Sequence, residues 1–167
     1  LRNNRISAED IALLGQYVKP DFQLDKHPGY IVLTTHNAKA DGINTKALDD
    51  LPAERHFYQA EITGEFPDKI YPVEANLPLK VGAQVMFIKN DASFEKLYFN
   101  GKMGFIESLS EAEIRVHFPE ENKTIEVERY EWENIRYTVN PDTREIEEQV
   151  IGTFVHYPIK LAWAITV

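Results

Sequence analysis

The sequence has 167 residues, of which 43% are hydrophobic and 27% are charged, proportions typical of a folded domain and not of a disordered segment. It contains no cysteine, which excludes disulfides and thiolate chemistry, and no apolar run approaches the roughly 20 residues that span a bilayer. The net charge of −9 argues against a free-standing nucleic-acid binder, because attraction to phosphate normally needs a basic surface. We expect a cytoplasmic protein without a membrane segment.

The acidic charge is concentrated in one part of the chain. Residues 107–148 carry thirteen acidic and five basic side chains, whereas residues 79–102 carry four lysines against Asp91 and Glu95. This distribution favours a solvated acidic face that keeps the protein soluble, next to a mildly basic stretch.

The first part of the chain predicts a helix, a strand and a second helix. Ser7 begins a pattern typical of a capping box, and the apolar spacing after it predicts a helix that Pro20 ends. Residues 30–35 are rich in β-branched side chains and predict a buried strand of a parallel sheet. Residues 36–51 predict a helix with one apolar face, formed by Ala40, Ile43, Ala47 and Leu48.

Short strands dominate the rest of the sequence. They are predicted at residues 57–63, 81–88, 105–106, 114–118, 124–127, 130–139 and 149–155. Asn100-Gly101 and Met103-Gly104 predict tight turns with positive φ. The fold class is therefore α/β plus all-β: a small antiparallel barrel (residues 65–148) inserted into a partial α/β domain (residues 1–64 and 149–167).

No catalytic pattern occurs in the sequence. There is no Gly-x-x-x-x-Gly-Lys-Ser/Thr loop and no dinucleotide-binding fingerprint, and the five histidines form no His-x-x-x-His pair. We therefore expect no catalytic residue and no metal site in this chain.

Polar residues at the junction of the predicted strand and helix have two interpretations. Backbone amides at the helix start, beside Thr35, His36 and Asn37, would favour a phosphate group. Simple N-capping by Thr35 or Asn37 explains the same residues without a ligand, and the spacing alone favours it.

The stretch around Asn100 also has two interpretations. Lys89 and Lys102, with Asn90 and Asn100, would form a loop that contacts a nucleic-acid backbone, or they would only build turns. The aromatic residues of this loop would stack on bases or cover the core, the more common fate of aromatic side chains; they are Phe94, Tyr98 and Phe99.

Three stretches together resemble the Pif1 and RecD-type DNA helicases of superfamily one. Residues 31–44 resemble a strand and helix with a Thr/Asn turn and a later Asn. Residues 77–90, followed by 99–104, are similar to the family's Leu-Gly-Ala-Gln-Val-Met … Asn-Gly … Gly signature. Residues 157–167 resemble the run that precedes a His-Lys-Ser-Gln-Gly motif in the family.

The resemblance implies part of a second RecA-like domain that carries an inserted SH3-like barrel. The parent enzyme would be an ATP-dependent helicase of DNA replication and repair that uses ATP and Mg²⁺ and moves 5′-to-3′ on single-stranded DNA. This chain alone would hold no cofactor and would be inactive. Thr35, His36 and Asn37 would lie near the DNA strand, and Thr166 would lie at the edge of a DNA-contacting motif. Asn100, Gly101 and Lys102 would form a barrel loop near DNA or a neighbouring domain.

The two ends of the sequence predict a piece of a longer protein, because the chain opens without methionine and closes on an apolar run, residues 161–167. We expect weak or no DNA binding by this piece, and self-association through its truncated edges. The alternative is a stand-alone β-barrel module that binds single-stranded nucleic acid or a protein partner.

Overall fold

The computed structural model describes residues 6–140 and 144–167. It divides into two compact units, Leu1–Tyr30 and Ile31–Val167, which are described separately below. Within the described residues, no helix is both long enough and apolar enough to cross a membrane.

The first unit contains the helix α1 (Ala8–Gly15) and a 3₁₀ turn at Leu24–Lys26. Ser7 Oγ accepts a hydrogen bond from the Asp10 N–H at 3.1 Å, and Asp10 Oδ2 accepts one from the Ser7 N–H at 2.9 Å. These two bonds form the predicted capping box. The bonds that the Ser7 N–H and the Ser7 hydroxyl donate to the Asp10 carboxylate lower the pKa of Asp10. The predicted extension to Pro20 is wrong, because α1 ends at Gly15 and single turns follow it.

The second unit contains one longer helix, α2 (Asn37–Asp50), and a 3₁₀ turn at Asp68–Ile70 among its described residues. Most of its strands are short, and the two longest are the ninth and tenth in chain order. The strands are β1 (Val32–Thr34), β2 (His56–Gln59), β3 (Glu61–Gly64), β4 (Asn76–Leu79), β5 (Gln84–Phe87), β6 (Met103–Leu109), β7 (Ile114–Phe118), β8 (Lys123–Glu126), β9 (Tyr130–Val139), β10 (Ile146–His156), β11 (Ile159–Leu161) and β12 (Ala164–Thr166).

The strands form four small sheets, so the described part of the protein is mostly sheet with few helices. β1 and β12 pair in parallel, as expected for residues 30–35, although Leu33 is 62% exposed and the strand is not fully buried. The other three sheets are antiparallel, with strand orders β2-β4, β3-β10-β9 and β11-β5-β6-β7-β8.

Two local predictions in the β-rich part are wrong. Residues 57–63 form two strands in different sheets, since β2 pairs with β4 while β3 pairs with β10. Gly101 has a φ of +94° and makes the predicted turn, but Met103 and Gly104 belong to β6 and make no turn. A side chain at Gly104 would lie within 2.8 Å of the His117 carbonyl on β7, so close strand packing explains this glycine.

The main core lies between the five-stranded sheet, α2 and β2-β4. Leu48 of α2 and Leu79 of β4 are almost completely buried there, together with Phe87, Ile114 and Ile159 from the five-stranded sheet. A smaller cluster of Phe66, Val73 and Phe154 lies beneath the β3-β10-β9 sheet. Ala40 and Leu48 are buried and Ile43 and Ala47 are half-buried, which confirms the predicted face of α2.

Candidate nucleic-acid interface

The parallel pairing of β1 and β12 brings two distant parts of the chain together. Thr34 and Thr166 are partners in the register, and the Val167 N–H donates to the Thr34 carbonyl at 3.1 Å. Because parallel strands end at the same edge of a sheet, Thr166 lies beside the start of α2. Thr35, His36 and Asn37 are exposed at that edge, as is Thr166. We call these four residues the strand-end surface.

The backbone turn between β1 and α2 is organised by Thr34, which is only 6% exposed. Its hydroxyl donates to the His36 carbonyl at 2.9 Å, and the His36 N–H donates to the Thr34 hydroxyl oxygen at 3.4 Å. The Thr35 hydroxyl contacts His36 Nδ1 at 2.8 Å.

The N-cap residue of α2 is His36, and its side chain makes no capping hydrogen bond. N-capping by Thr35 or Asn37, which the spacing favoured, is therefore wrong. Helix-start amides that no side chain caps are suited to an anionic ligand, because the helix dipole also favours negative charge there.

The loop between β5 and β6 is built around two polar side chains. Asp91 accepts hydrogen bonds from the Ser93 N–H, the Ser93 hydroxyl and the Leu97 N–H, each at 2.8 Å. Burial raises the pKa of Asp91, but these hydrogen bonds outweigh it and hold that pKa below its usual value. Asn90 Oδ1 accepts from the Asn100 N–H at 2.8 Å, so both asparagines shape the loop.

The two lysines beside this loop already have partners within the protein. Lys102 Nζ lies 2.6 Å from Glu121, 3.1 Å from the Leu97 carbonyl and 4.0 Å from the ring centre of Phe118. Lys89 Nζ lies 4.4 Å above the ring of Tyr130. Their positive charges are therefore partly used in holding the loop and the neighbouring strands together.

The aromatic residues of the loop divide into buried and exposed ones. Tyr98 stacks on Phe87 with 4.1 Å between ring centroids and packs against the main core, as the core interpretation expects. Phe94 is fully exposed and Phe99 is 59% exposed, so both rings are available to a ligand or partner.

A cavity of about 480 Å³ lies beside the loop and has an acidic lining. Asp91 and Glu95 line it from the loop, Glu126 and Glu128 line it from β8 and the residues after it, and Lys123 also lines it. Burial raises the pKa of the Tyr98 phenol in this lining, and the negative charges of Asp91 and Glu128 add to the effect. Such a lining repels phosphate and attracts positive charge.

The sequence comparison included Asn44 as the later Asn of residues 31–44 but gave it no role, and its side chain binds the backbone of Ala164 on β12. A polar residue on an otherwise apolar helix face is the signal that would have found it, because a half-buried amide needs a partner. Across residues 6–140 and 144–167, no three histidine or acidic side chains cluster in a way that could hold a metal ion.

No protein-family model matches the chain. The ATP-dependent DNA helicase PIF1 of Xenopus laevis is 30% identical over 142 residues, which cover 81% of this chain and 20% of that protein. The ATP-dependent DNA helicase Pif1 of Campylobacter jejuni is 24% identical over 151 residues, which cover 83% of this chain and 33% of that protein.

Solved structures of Pif1 from Bacteroides share the fold across almost the whole chain. The unliganded protein matches with a TM-score of 0.86 at 34% identity, over 99% of this chain and 37% of that one. The protein bound to ssDNA matches with a TM-score of 0.75 at 34% identity over the same shares of both chains. In sequence and fold the chain therefore corresponds to part of a Pif1-type helicase, and it spans 37% of the length of these Bacteroides proteins.

Proposed function

We propose that this chain forms part of an ATP-dependent DNA helicase and contacts single-stranded DNA through the strand-end surface. The observation that carries the proposal is the register of β1 with β12, which places Thr35, His36, Asn37 and Thr166 together although they lie far apart in sequence. A relative with the same fold was solved with ssDNA bound, which supports the choice of ligand.

The chemistry of the strand-end surface suits contacts to the DNA backbone. Hydroxyl, imidazole and amide groups, with the amides at the start of α2, are typical donors to phosphate oxygens. They would hold a strand in place without reading its sequence. We therefore propose a sequence-independent contact that contributes to moving along DNA.

We further propose that residues 1–64 and 149–167 belong to a second RecA-like domain, and that residues 65–148 form an inserted SH3-like barrel. The parallel pair β1-β12 supports the first part, and the antiparallel order β5-β6-β7-β8 supports the second. β11, from outside the proposed insert, pairs with β5 at the edge of that sheet.

The proposed helicase would use ATP and Mg²⁺ and move with 5′-to-3′ polarity. The Bacteroides relative was solved in complex with ADP-AlF4, which supports a nucleotide cofactor for the family. This chain contains no Gly-x-x-x-x-Gly-Lys-Ser/Thr loop, so the proposal assigns it DNA contacts and not hydrolysis.

A second set of proposed contacts lies in the loop and consists of Lys89, Asn90, Asn100 and Lys102. The exposed rings of Phe94 and Phe99 support it, since bases stack on such side chains. The acidic cavity and the Lys102–Glu121 ion pair favour instead a protein partner for this loop. We therefore keep docking of a protein partner as the second candidate function.

Self-association of the chain is also proposed. Leu33 and Val167 are 62% and 81% exposed beside the two-stranded parallel sheet, so an apolar surface is open at this edge. Light scattering over a wide concentration range should show a rising average mass, and a constant monomer mass would refute the idea.

Photo-crosslinking to a short iodouridine-containing single strand tests the proposed function. We expect crosslinked peptides around His36 and Thr166, with yields that fall in T35A/H36A/T166A and stay unchanged in K123A, an exposed lysine control. Crosslinks confined to Phe94 and Phe99 would move the DNA contact to the loop. An absence of crosslinks at low salt would leave protein docking as the function.

A further inference from the structure

Asn44 joins α2 to β12 through two hydrogen bonds made by one side chain. Its Nδ2 donates to the Ala164 carbonyl at 2.9 Å, and its Oδ1 accepts from the Ala164 N–H at 2.8 Å. The two residues are 120 positions apart in the chain. Asn44 is half-buried, and Ala164 is 1% exposed.

The carboxamide of Asn44 occupies the place that a neighbouring strand would take. One side of the β12 region is bound to β1. The Val32 N–H donates to the Trp163 carbonyl at 2.9 Å, and the Val167 N–H donates to the Thr34 carbonyl at 3.1 Å. Backbone groups alternate along a strand, so those of Ala164 point to the other side, where Asn44 satisfies both.

This contact sets the position of α2 along β12. An apolar contact alone would tolerate sliding by a fraction of a turn, because hydrophobic packing is not directional. Two hydrogen bonds to one residue allow a single register, and a slipped helix would leave the groups of Ala164 buried without partners.

The strand-end surface has one part on each of the two elements that Asn44 joins. His36 and Asn37 lie at the start of α2, about two helical turns before Asn44. Thr166 lies two residues after Ala164. We infer that Asn44 is a positioning residue that holds these two parts at the spacing needed to bind one DNA strand, an inference that rests on the proposed function.

A double-mutant cycle on this 167-residue chain tests the inference. Affinity for a fluorescent oligothymidine is measured at low salt by anisotropy for wild type, N44L, T166A and the double variant. We expect N44L to weaken binding by about three- to tenfold, and the double variant to bind little worse than T166A, because Asn44 acts through Thr166. T45L, which adds a leucine to the exposed side of α2, should bind like wild type.

Hydrogen exchange at the Ala164 amide provides a readout that does not depend on DNA. The exchange rate of the Ala164 amide should increase in N44L. It should also increase in N44A, which excludes a steric misfit of the leucine side chain as the cause. The exchange of the other β12 amides and the circular dichroism spectrum should stay unchanged. Unchanged affinity in N44L, or a loss that adds fully to that of T166A, would overturn the inference. If wild type gives no crosslinks at His36 or Thr166, the proposed function itself fails, and the positioning role fails with it.

Discussion

The rings of Tyr58 and Tyr157 meet edge to face with 5.4 Å between their centroids, and both hydroxyls bind the turn between β6 and β7. Tyr58 donates to the Ser110 carbonyl at 2.7 Å, and Tyr157 donates to the Ala112 carbonyl at 2.9 Å. Burial, with Tyr157 adding to it, raises the pKa of Tyr58 to about 12. The pair thus connects β2 and the residue after β10 to the five-stranded sheet.

Replacing Tyr58 with phenylalanine should lower the free energy of unfolding by about 1–2 kcal/mol, because the Ser110 carbonyl loses its buried donor. Urea denaturation measures the change. Tyr137→Phe is the matched control, since Tyr137 is 63% exposed, and it should shift stability by less than about 0.5 kcal/mol. Equal losses in both variants would show that the hydrogen bond contributes nothing.

The same tyrosine predicts a dependence of stability on alkaline pH. The folded-state pKa of about 12 lies above the ordinary value of 10.0, so the phenol remains protonated longer in the folded protein. The resulting stability is present below pH 10.0 and is lost as the pH rises towards about 12. Tyr58→Phe should lose less stability than wild type over this range. Parallel curves of unfolding free energy against pH would show that the Tyr58 phenol does not cause the loss.

His156 is fully buried at the end of β10, and neither ring nitrogen makes a hydrogen bond of ordinary geometry. Burial and the positive charge of Arg129 together lower the pKa of His156 to about 4, although the nearby Glu74 backbone opposes the shift. Burial, with the charge of Asp41, raises the pKa of the Glu74 carboxyl. The folded protein therefore holds His156 in its neutral form.

This neutral histidine should make the protein less stable in acid. A lowered folded-state pKa contributes stability that is present above pH 6.5 and is lost as the pH falls towards about 4. Chemical denaturation across this range should show a smaller loss in His156→Phe than in wild type. His36→Gln, which changes an exposed histidine, should follow the wild-type curve, and Glu74 titrates in all three proteins.

Lys102 should contribute to stability more than to DNA affinity. Lys102→Met keeps the apolar stem but removes the contacts of the ammonium with Glu121 and Phe118, which should lower the free energy of unfolding by about 1 kcal/mol. Lys123→Met, at an exposed position, should be neutral. If Lys102→Met instead weakens oligothymidine binding and leaves the free energy of unfolding unchanged, the lysine is a DNA contact.

Alanine substitutions at two glycine positions should have opposite effects on stability. A side chain at Gly152 would press on the Glu65 backbone, within 2.8 Å of its nitrogen, so Gly152→Ala should destabilise by about 1–3 kcal/mol. Gly42 lies in α2 with nothing within 4 Å of the added carbon, so Gly42→Ala should stabilise by about 0.5–1 kcal/mol. Thermal unfolding of both variants distinguishes these outcomes, and equal shifts would refute the steric argument.

Prediction from the sequence worked where the determinants are close together in the chain. The capping box needs only Ser7 and Asp10, the buried face of α2 repeats with helical spacing, and the Gly101 turn depends on one positive φ. The strands at residues 114–118 and 130–139 have the bounds that were expected. The resemblance of three stretches to one helicase family agreed with the later comparisons.

Prediction failed where the partner of a residue lies far away in the sequence. Met103-Gly104 has the composition of a turn, but Gly104 is small because β7 packs closely against it. The sequence left open whether Lys102 contacts nucleic acid or only builds a turn, and its pairing with Glu121 depends on how β6 and β7 lie side by side.

The sequence by itself determined the helix starts, most strand positions, the acidic character and the likeness to a family, since each depends on residue type and local spacing. Only the tertiary structure decided that Thr34 pairs with Thr166, that Asn44 binds Ala164, and that residues 57–63 divide between two sheets. These contacts join segments about 120 to 130 residues apart in the first two cases, and global packing selects them because no local pattern encodes a partner at that distance.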